Sequence, residues 1–224
     1  MSSRHRRGVV LGVVIFALVG FPVARFLTGT LLGGDLSARN GAIIKWVLAA
    51  LVIGFVVIVE ARPIASIGLV RPNLRDVFVG VVTFGVMAIS FMLTLQLVET
   101  LGFSTGFAEG SAGEATVWTV VIALFASLTA AITEEILIRG YALERIEGMT
   151  RSTWFAGTTT AVVFVVLHAG TYGLGGLLVL SPLATLLTVA YVWRRNLFVP
   201  IIAHVLLNGI PPIVLLAEQL GGSI

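Results

Sequence analysis

The chain contains no cysteine and very little charge. Only 11% of its 224 residues are Asp, Glu, Lys or Arg, whereas 58% are hydrophobic. Without cysteine the protein has no thiol nucleophile, no disulfide and no cysteine-ligated metal site. With so few charges it cannot cover its apolar residues with a polar surface, which excludes an ordinary soluble domain.

Seven apolar runs have about the length that a helix needs to cross a bilayer, which is roughly 20 residues. They predict an all-α fold, a polytopic membrane helix bundle of about seven transmembrane helices. The sequence therefore predicts a multi-pass protein of the cell membrane that is surrounded by the lipid bilayer. The predicted spans are 8–26, 41–59, 77–98, 115–138, 154–170, 174–193 and 197–217, of which the fifth is the shortest.

The basic residues predict the orientation of these spans. With the N-terminus in the cytoplasm, eleven of the fourteen Lys and Arg residues lie on the cytoplasmic side, as the positive-inside rule requires. Only Arg25, Arg39 and Lys45 lie on the other side. We therefore predict a cytoplasmic N-terminus. No basic face with interleaved aromatic residues is present, so nothing predicts a nucleic-acid partner.

Polar residues within the apolar runs divide the chain into two parts. The first three spans carry few, among them Lys45 and Gln96 near their ends. We predict N-terminal anchoring and packing helices over 1–114 and a catalytic helical core over 115–218, with the Gly- and Ser-rich loop 99–114 at the boundary. The polar residues of spans four, five and seven are Glu134, Glu135, Arg139, His168, His204 and Asn208.

Two adjacent glutamates end the fourth apolar run. Neighbours on a helix point about 100° apart, so Glu134 and Glu135 cannot serve one pocket equally. Glu135 precedes Arg139 by four residues, the favourable orientation for a helical ion pair, and we predict that this pair is structural. Glu134 then has no partner on its own helix and is the candidate for chemistry. The alternative is that both glutamates mark the membrane border.

Two of the three histidines lie in apolar runs, where an ionisable residue usually marks a functional site. His204 and Asn208 are four residues apart and share one helix face. Counting from the turn at 148–152, Glu134 and His168 lie at matching heights on neighbouring helices. These four residues can therefore meet, although each histidine could instead be bonded to a neighbouring helix.

A glutamate, two histidines and an asparagine suit hydrolysis. Glu134 would take a proton from water, His168 would orient that water, and His204 with Asn208 would hold the oxyanion. Alternatively, Glu134, His168 and His204 could bind a zinc ion, and the residues leave this open. Neither histidine begins an H-E-x-x-H motif, and there is no G-x-S-G serine motif.

Three separated motifs resemble those of the CPBP family of integral membrane proteins. These are "EEILIRG" at 134–140, "FVVLH" at 164–168 and "HVLLN" at 204–208. The family includes type II CAAX prenyl proteases and bacteriocin-processing or immunity (Abi) proteins, and the resemblance covers roughly 115–217. It implies an intramembrane endopeptidase that cleaves peptide or membrane-protein substrates, among them prenylated CAAX-type ones. It also implies catalytic roles for Glu134, His168, His204 and Asn208, with Glu135, Arg139 and Phe164 in support.

Two other functions fit the same residues. One is a non-catalytic bacteriocin-immunity or peptide-binding membrane protein that uses the same cavity. The other is a proton-coupled transporter in which Glu134 and the histidines form a relay, although no internal repeat of the kind common in transporters is visible.

Overall fold

The computed structural model describes residues 3–32, 37–107 and 116–221, and within these ranges it is helical without a strand. The α4 helix, a π-helical segment and α5 form one continuous element. The helices are α1 Ser3–Leu32, α2 Ala38–Gly54 with a π-helical continuation Phe55–Val59, α3 Leu74–Thr100, α4 Val117–Glu135, the π-helical segment Ile136–Leu143, α5 Glu144–Thr150, α6 Thr153–Val166, α7 Ala169–Arg194 and α8 Phe198–Gly221. A 3₁₀ turn, Ile64–Ile67, precedes α3.

The predicted all-α membrane bundle is confirmed. Five of the helical elements are long and apolar enough to cross a bilayer, and Thr153–Val166 and Phe198–Val214 are shorter apolar helices. Many large apolar side chains point outward, and the exposed Trp118, Trp154 and Trp193 lie at helix ends. Tryptophan is enriched at the interfaces of a bilayer, so this outer surface suits lipid. The chain is a multi-pass membrane protein.

Four of the described helices, α2, α3, α4 and α6, begin at side chains that bond their free backbone amides. The Asn73 side chain and Asp76 form a capping box at the start of α3, and Ser152 accepts from the amide of Phe155 at the start of α6. Arg194 binds Asp76 at 2.7 Å, and Asn196 donates to Asp76 at 3.0 Å. The start of α3 is thereby fixed to the junction of α7 and α8.

The core surrounds the π-helical segment, whose eight residues are all buried. Tyr141 and Leu143 pack there with Val52 of α2, Ile67 of the 3₁₀ turn and Tyr191 of α7. Most of the "EEILIRG" motif lies on this segment. Wide π-helical turns are rare and often occur at functional sites.

The α6 helix ends earlier than predicted, which places His168 in the break between α6 and α7. The ring Nδ1 of His168 lies 2.7 Å from the carbonyl oxygen of Phe164, the acceptor that the His168 amide would use in a continued helix. That amide donates to the carbonyl oxygen of Val165 instead. The histidine side chain thus competes with the backbone and ends the helix.

The α7 helix is itself kinked at Gly173, where φ is 61° and ψ is −171°. Glycine adopts this left-handed φ without the steric cost that a side chain would add. The segment before the kink carries Tyr172 next to the described part of the 99–114 loop, in which Phe107 stacks on Tyr172 at 4.5 Å. Between α6 and the end of α7, irregular backbone is therefore limited to the break at His168 and to this kink.

Both halves of the chain contribute to one bundle. The α4 helix lies between α2 and α8, and α3 packs against α7 and α8. The predicted boundary at 114/115 lies outside the described residues, so the two-part division stays a prediction.

The contact between α3 and α8 gives a test of this packing. A Cβ added at Gly80 would lie 2.9 Å from the Cβ of Ile202 and 3.0 Å from the carbonyl oxygen of Val199. We expect Gly80→Ala to lower the free energy of unfolding by about 1–3 kcal/mol, because backbone atoms cannot move aside cheaply. Thermal unfolding of the detergent-purified protein measures this.

The matched control is Gly85→Ala on the same helix, where an added Cβ meets nothing within 4 Å. There the change should leave stability unchanged or raise it by up to about 1 kcal/mol, since alanine favours helix more than glycine does. Equal melting temperatures of the two variants would contradict the close approach of α3 and α8.

Candidate functional site

Glu134 faces α2, where its carboxylate meets Lys45. The Lys45 ammonium lies 2.6 Å from Oε1 of Glu134, and the two side chains are only 16% and 19% exposed. As expected from the spacing, no cation on its own helix pairs with Glu134. The cation comes instead from α2. Lys45 had been assigned to the anchoring helices, so the structure adds a residue of the N-terminal part to the candidate site.

Glu135 faces the opposite neighbour, α8. Its Oε1 accepts from Arg139 Nη1 at 2.9 Å, which is the ion pair predicted from the spacing, and both side chains are fully buried. The same oxygen lies 2.8 Å from Nδ1 of His204. His204 was expected beside Glu134, but its direct bond is to Glu135. The two adjacent glutamates therefore have separate partners on α2 and on α8.

Arg139 connects this cluster to two further helices. Its Nη2 donates to the carbonyl oxygen of Ala184 on α7 at 3.3 Å. Its guanidinium lies 4.5 Å from the centre of the Phe164 ring on α6. That ring is also 6.2 Å from the imidazole of His204. The buried Phe164 ring is thus in contact with the guanidinium of Arg139 from the π-helical segment and lies close to the imidazole of His204 from α8.

The imidazole of His168 also packs on the Phe164 ring, with 4.7 Å between the ring centres. Because a carbonyl oxygen only accepts, Nδ1 of His168 must donate to the Phe164 carbonyl, which leaves Nε2 as an acceptor in the neutral imidazole. Tyr172 stacks on His168 at 6.0 Å with an interplanar angle of 12°. His168 and His204 are both close enough to Glu134 to act electrostatically on its carboxylate.

Asn208 follows His204 by one turn of α8 and is half-buried. Its side chain takes part in none of the hydrogen bonds found among the described residues. The register of α8 thus brings Asn208 to the face that carries His204, but no hydrogen bond among the described residues joins it to Glu134.

The arrangement of these residues does not suit a zinc ion. Among the described residues, no three His, Asp or Glu side chains are grouped closely enough to hold a metal. Glu134 is engaged by Lys45, and Nδ1 of His204 is engaged by Glu135. The alternative zinc set of Glu134, His168 and His204 is therefore not assembled in the described part of the chain.

A cavity of about 270 Å³ lies elsewhere, between the start of α1 and α5. It contains none of the candidate catalytic residues. Arg145 in its wall is already bound to both carboxylate oxygens of Glu60 and to Ser66. The lining residues are Arg7, Val10, Glu60, Arg62, Glu144, Arg145, Gly148 and Met149.

Two residues of the site were missed from the sequence. Lys45 carried a usable signal, because it is the only lysine of the chain and lies within an apolar run. Tyr172 carried none, since an aromatic residue in a membrane helix is ordinary. Only the kink at Gly173 and the break at His168 bring its ring onto the imidazole.

Comparison with known proteins identifies the segment that holds most of this cluster. The family model described as "Type II CAAX prenyl endopeptidase Rce1-like" matches residues 116–210. Residues 116–210 are therefore similar to this family and are called the Rce1-like segment. No curated protein and no solved structure matches the chain.

The Rce1-like segment contains all three motifs, so the family resemblance drawn from them is confirmed. It extends from α4 through α7 and into the first half of α8. It therefore includes Glu134, His168, His204 and Asn208. Lys45 lies outside it, on α2.

The buried ion pair of the Rce1-like segment generates a stability prediction. Arg139→Met should lower the free energy of unfolding by about 3–5 kcal/mol, because it leaves the Glu135 carboxylate buried without its cation. The double change Glu135→Gln with Arg139→Met should recover part of this loss, since no unpaired charge then remains. Thermal unfolding in detergent compares the variants.

Arg71→Met removes an exposed arginine and serves as the control. Its effect should stay within about 0.5 kcal/mol, as is usual for surface changes. Losses of equal size at positions 71 and 139 would contradict the structural role of the Glu135–Arg139 pair.

Proposed function

We propose that this protein is an intramembrane endopeptidase, with residues 115–218 as its catalytic core and the preceding helices as its support. The observation that carries the proposal is the packing of His168 and His204 on Phe164 within the Rce1-like segment, where His204 bonds to Glu135, the neighbour of Glu134. Ionisable side chains are costly among membrane helices and usually serve a function there. The family's description as a type II CAAX prenyl endopeptidase supports peptide-bond hydrolysis as that function.

The substrates we propose are membrane-associated peptides or proteins, including prenylated CAAX-type ones. The family description supports the prenylated class. The apolar outer surface, which suits lipid, supports the general class, because a lipid-anchored substrate is concentrated at the bilayer where the enzyme resides.

Glu134 and His168 are the proposed activators of water. Lys45 contacts Oε1 of Glu134, so Oε2 is the oxygen that we assign to the attacking water. The Nε2 atom of neutral His168 is an acceptor and can orient the same water through a second hydrogen bond. A glutamate base and an orienting histidine are a common arrangement for general base catalysis.

His204 and Asn208 are the proposed partners of the oxyanion. The carboxylate of Glu135 accepts from both Arg139 and Nδ1 of His204, so Nδ1 carries a proton. His204 then offers a second N–H at Nε2 only when it is an imidazolium, and Glu135 compensates that charge. The side-chain amide of Asn208 supplies the other donor on the same helix face.

The proposed reaction balances with water as the only co-reactant. Glu134 accepts a proton from water as the water oxygen bonds to the carbonyl carbon, and negative charge collects on the carbonyl oxygen. The carbon–nitrogen bond then breaks, and the proton moves from Glu134 to the leaving amine. Glu135, Arg139 and Phe164 do not react in this scheme and hold His204 and His168 in place.

Substitution of the proposed base gives the direct test. Glu134→Gln keeps the size of the side chain but cannot accept the proton, so we expect cleavage to fall by about 10²–10⁴-fold. The assay uses the purified protein in liposomes with a fluorogenic prenylated CAAX-type peptide, and the same peptide without its prenyl group reports the contribution of the lipid. Glu99→Gln, an exposed glutamate at the end of α3, is the control and should keep full activity.

The other outcomes separate the alternatives. Wild-type activity in Glu134→Gln would refute the assigned base. Peptide binding without cleavage, equal in the wild type and in Glu134→Gln, would favour the non-catalytic immunity or peptide-binding function. Proton-driven solute uptake that disappears in Glu134→Gln would favour the transporter.

A further inference from the structure

We propose that Lys45 is a positioning residue of the candidate active site, which holds the Glu134 carboxylate ionised and oriented from outside the Rce1-like segment. The inference rests on the proposed function, because it assigns the orientation of the base in that reaction. It makes α2 part of the active site rather than an anchor alone.

The composition of the chain sets Lys45 apart. Thirteen of the fourteen basic residues are arginine, and Lys45 is the only lysine. The other cations found in ion pairs among the described residues are arginines and His204. The one lysine thus contacts the one carboxylate that the proposed reaction needs.

The chemistry of lysine suits a carboxylate that must keep one oxygen available. Arg145 binds both oxygens of Glu60, as the planar guanidinium fork allows. Lys45 contacts only Oε1 of Glu134, because an ammonium is a compact point charge. The Lys45–Glu134 pair is also accessible to solvent, because both side chains keep some exposure. The side chains of Glu135 and Arg139 have none.

Two neighbouring contacts hold Lys45 in this position. Its ammonium lies 4.6 Å from the centre of the Phe21 ring on α1, a cation–π contact. The adjacent Trp46 donates from Nε1 to Thr129 Oγ1 on α4 at 3.2 Å. This bond sets the register of α2 against α4 close to Glu134, so the ammonium is directed by three helices.

Kinetics of the reconstituted protein with the prenylated peptide test the proposal. Lys45→Met should lower kcat by about 10–100-fold with KM changed by less than about threefold, because the contact acts on the base and not on substrate binding. Lys45→Arg should recover at least about threefold over Lys45→Met yet stay below the wild type, since a guanidinium restores the charge but competes for the second oxygen. Arg39→Met removes an exposed charge from the same helix and should leave kcat unchanged.

A spectroscopic readout tests the contact without relying on cleavage. Protein grown with [ε-¹³C]lysine carries a single labelled residue, so its NMR spectrum contains one lysine signal. We expect Glu134→Gln to shift this signal and Glu99→Gln to leave it in place.

Each result has a defined meaning. Wild-type kcat in Lys45→Met, no recovery in Lys45→Arg, or a lysine signal that Glu134→Gln does not move would overturn the proposal. A shifted signal in a wild type that cleaves no peptide would preserve the ion pair but refute the proposed function, and with it the catalytic part of the Lys45 assignment.

Discussion

The cost of burying a carboxylate among apolar helices governs the arrangement of this bundle. Two adjacent glutamates lie on α4, and each needs a positive partner that the bilayer cannot supply. Because successive residues on a helix point in different directions, one partner cannot serve both. Glu134 is paired with Lys45 on α2, and Glu135 with Arg139 and His204. Helix α4 is therefore held between α2 and α8 by charge as well as by packing.

The two ion pairs have different environments, and this difference separates support from chemistry. The Glu135–Arg139 pair is fully buried, and Arg139 also contacts the Ala184 carbonyl and the Phe164 ring. A pair of this kind is costly to disturb and suits a structural centre. Both side chains of the Glu134–Lys45 pair keep partial exposure, and among the described residues only one oxygen of the Glu134 carboxylate accepts a hydrogen bond. A carboxylate in that state has a fixed direction and an oxygen that is still available to a substrate or to water.

The aromatic residues between the helices place the two histidines. Phe164 lies between His168, His204 and the Arg139 guanidinium, and Tyr172 covers the far side of His168. The ring of His168 is fixed further because its Nδ1 takes the carbonyl oxygen that would have continued α6. This one hydrogen bond of His168 thus ends helix α6 and also places the ring proton on Nδ1. The local backbone structure thus leaves Nε2 of the neutral His168 ring as a hydrogen-bond acceptor.

The sequence by itself determined the membrane bundle, the number of its apolar segments and the Glu135–Arg139 pair. These follow from local quantities, namely the length of an apolar run and the four-residue spacing of a helix turn. The three motifs also located the segment that the Rce1-like family model matches. What only the tertiary structure decided was which helices meet: Lys45 with Glu134 across 89 residues, and His204 with Glu135 across 69. The order of helices around α4 sets these contacts, and no periodicity along the chain encodes it. The early end of α6 had a similar origin, because it depends on a side chain bonding to its own backbone, which an apolar run does not reveal.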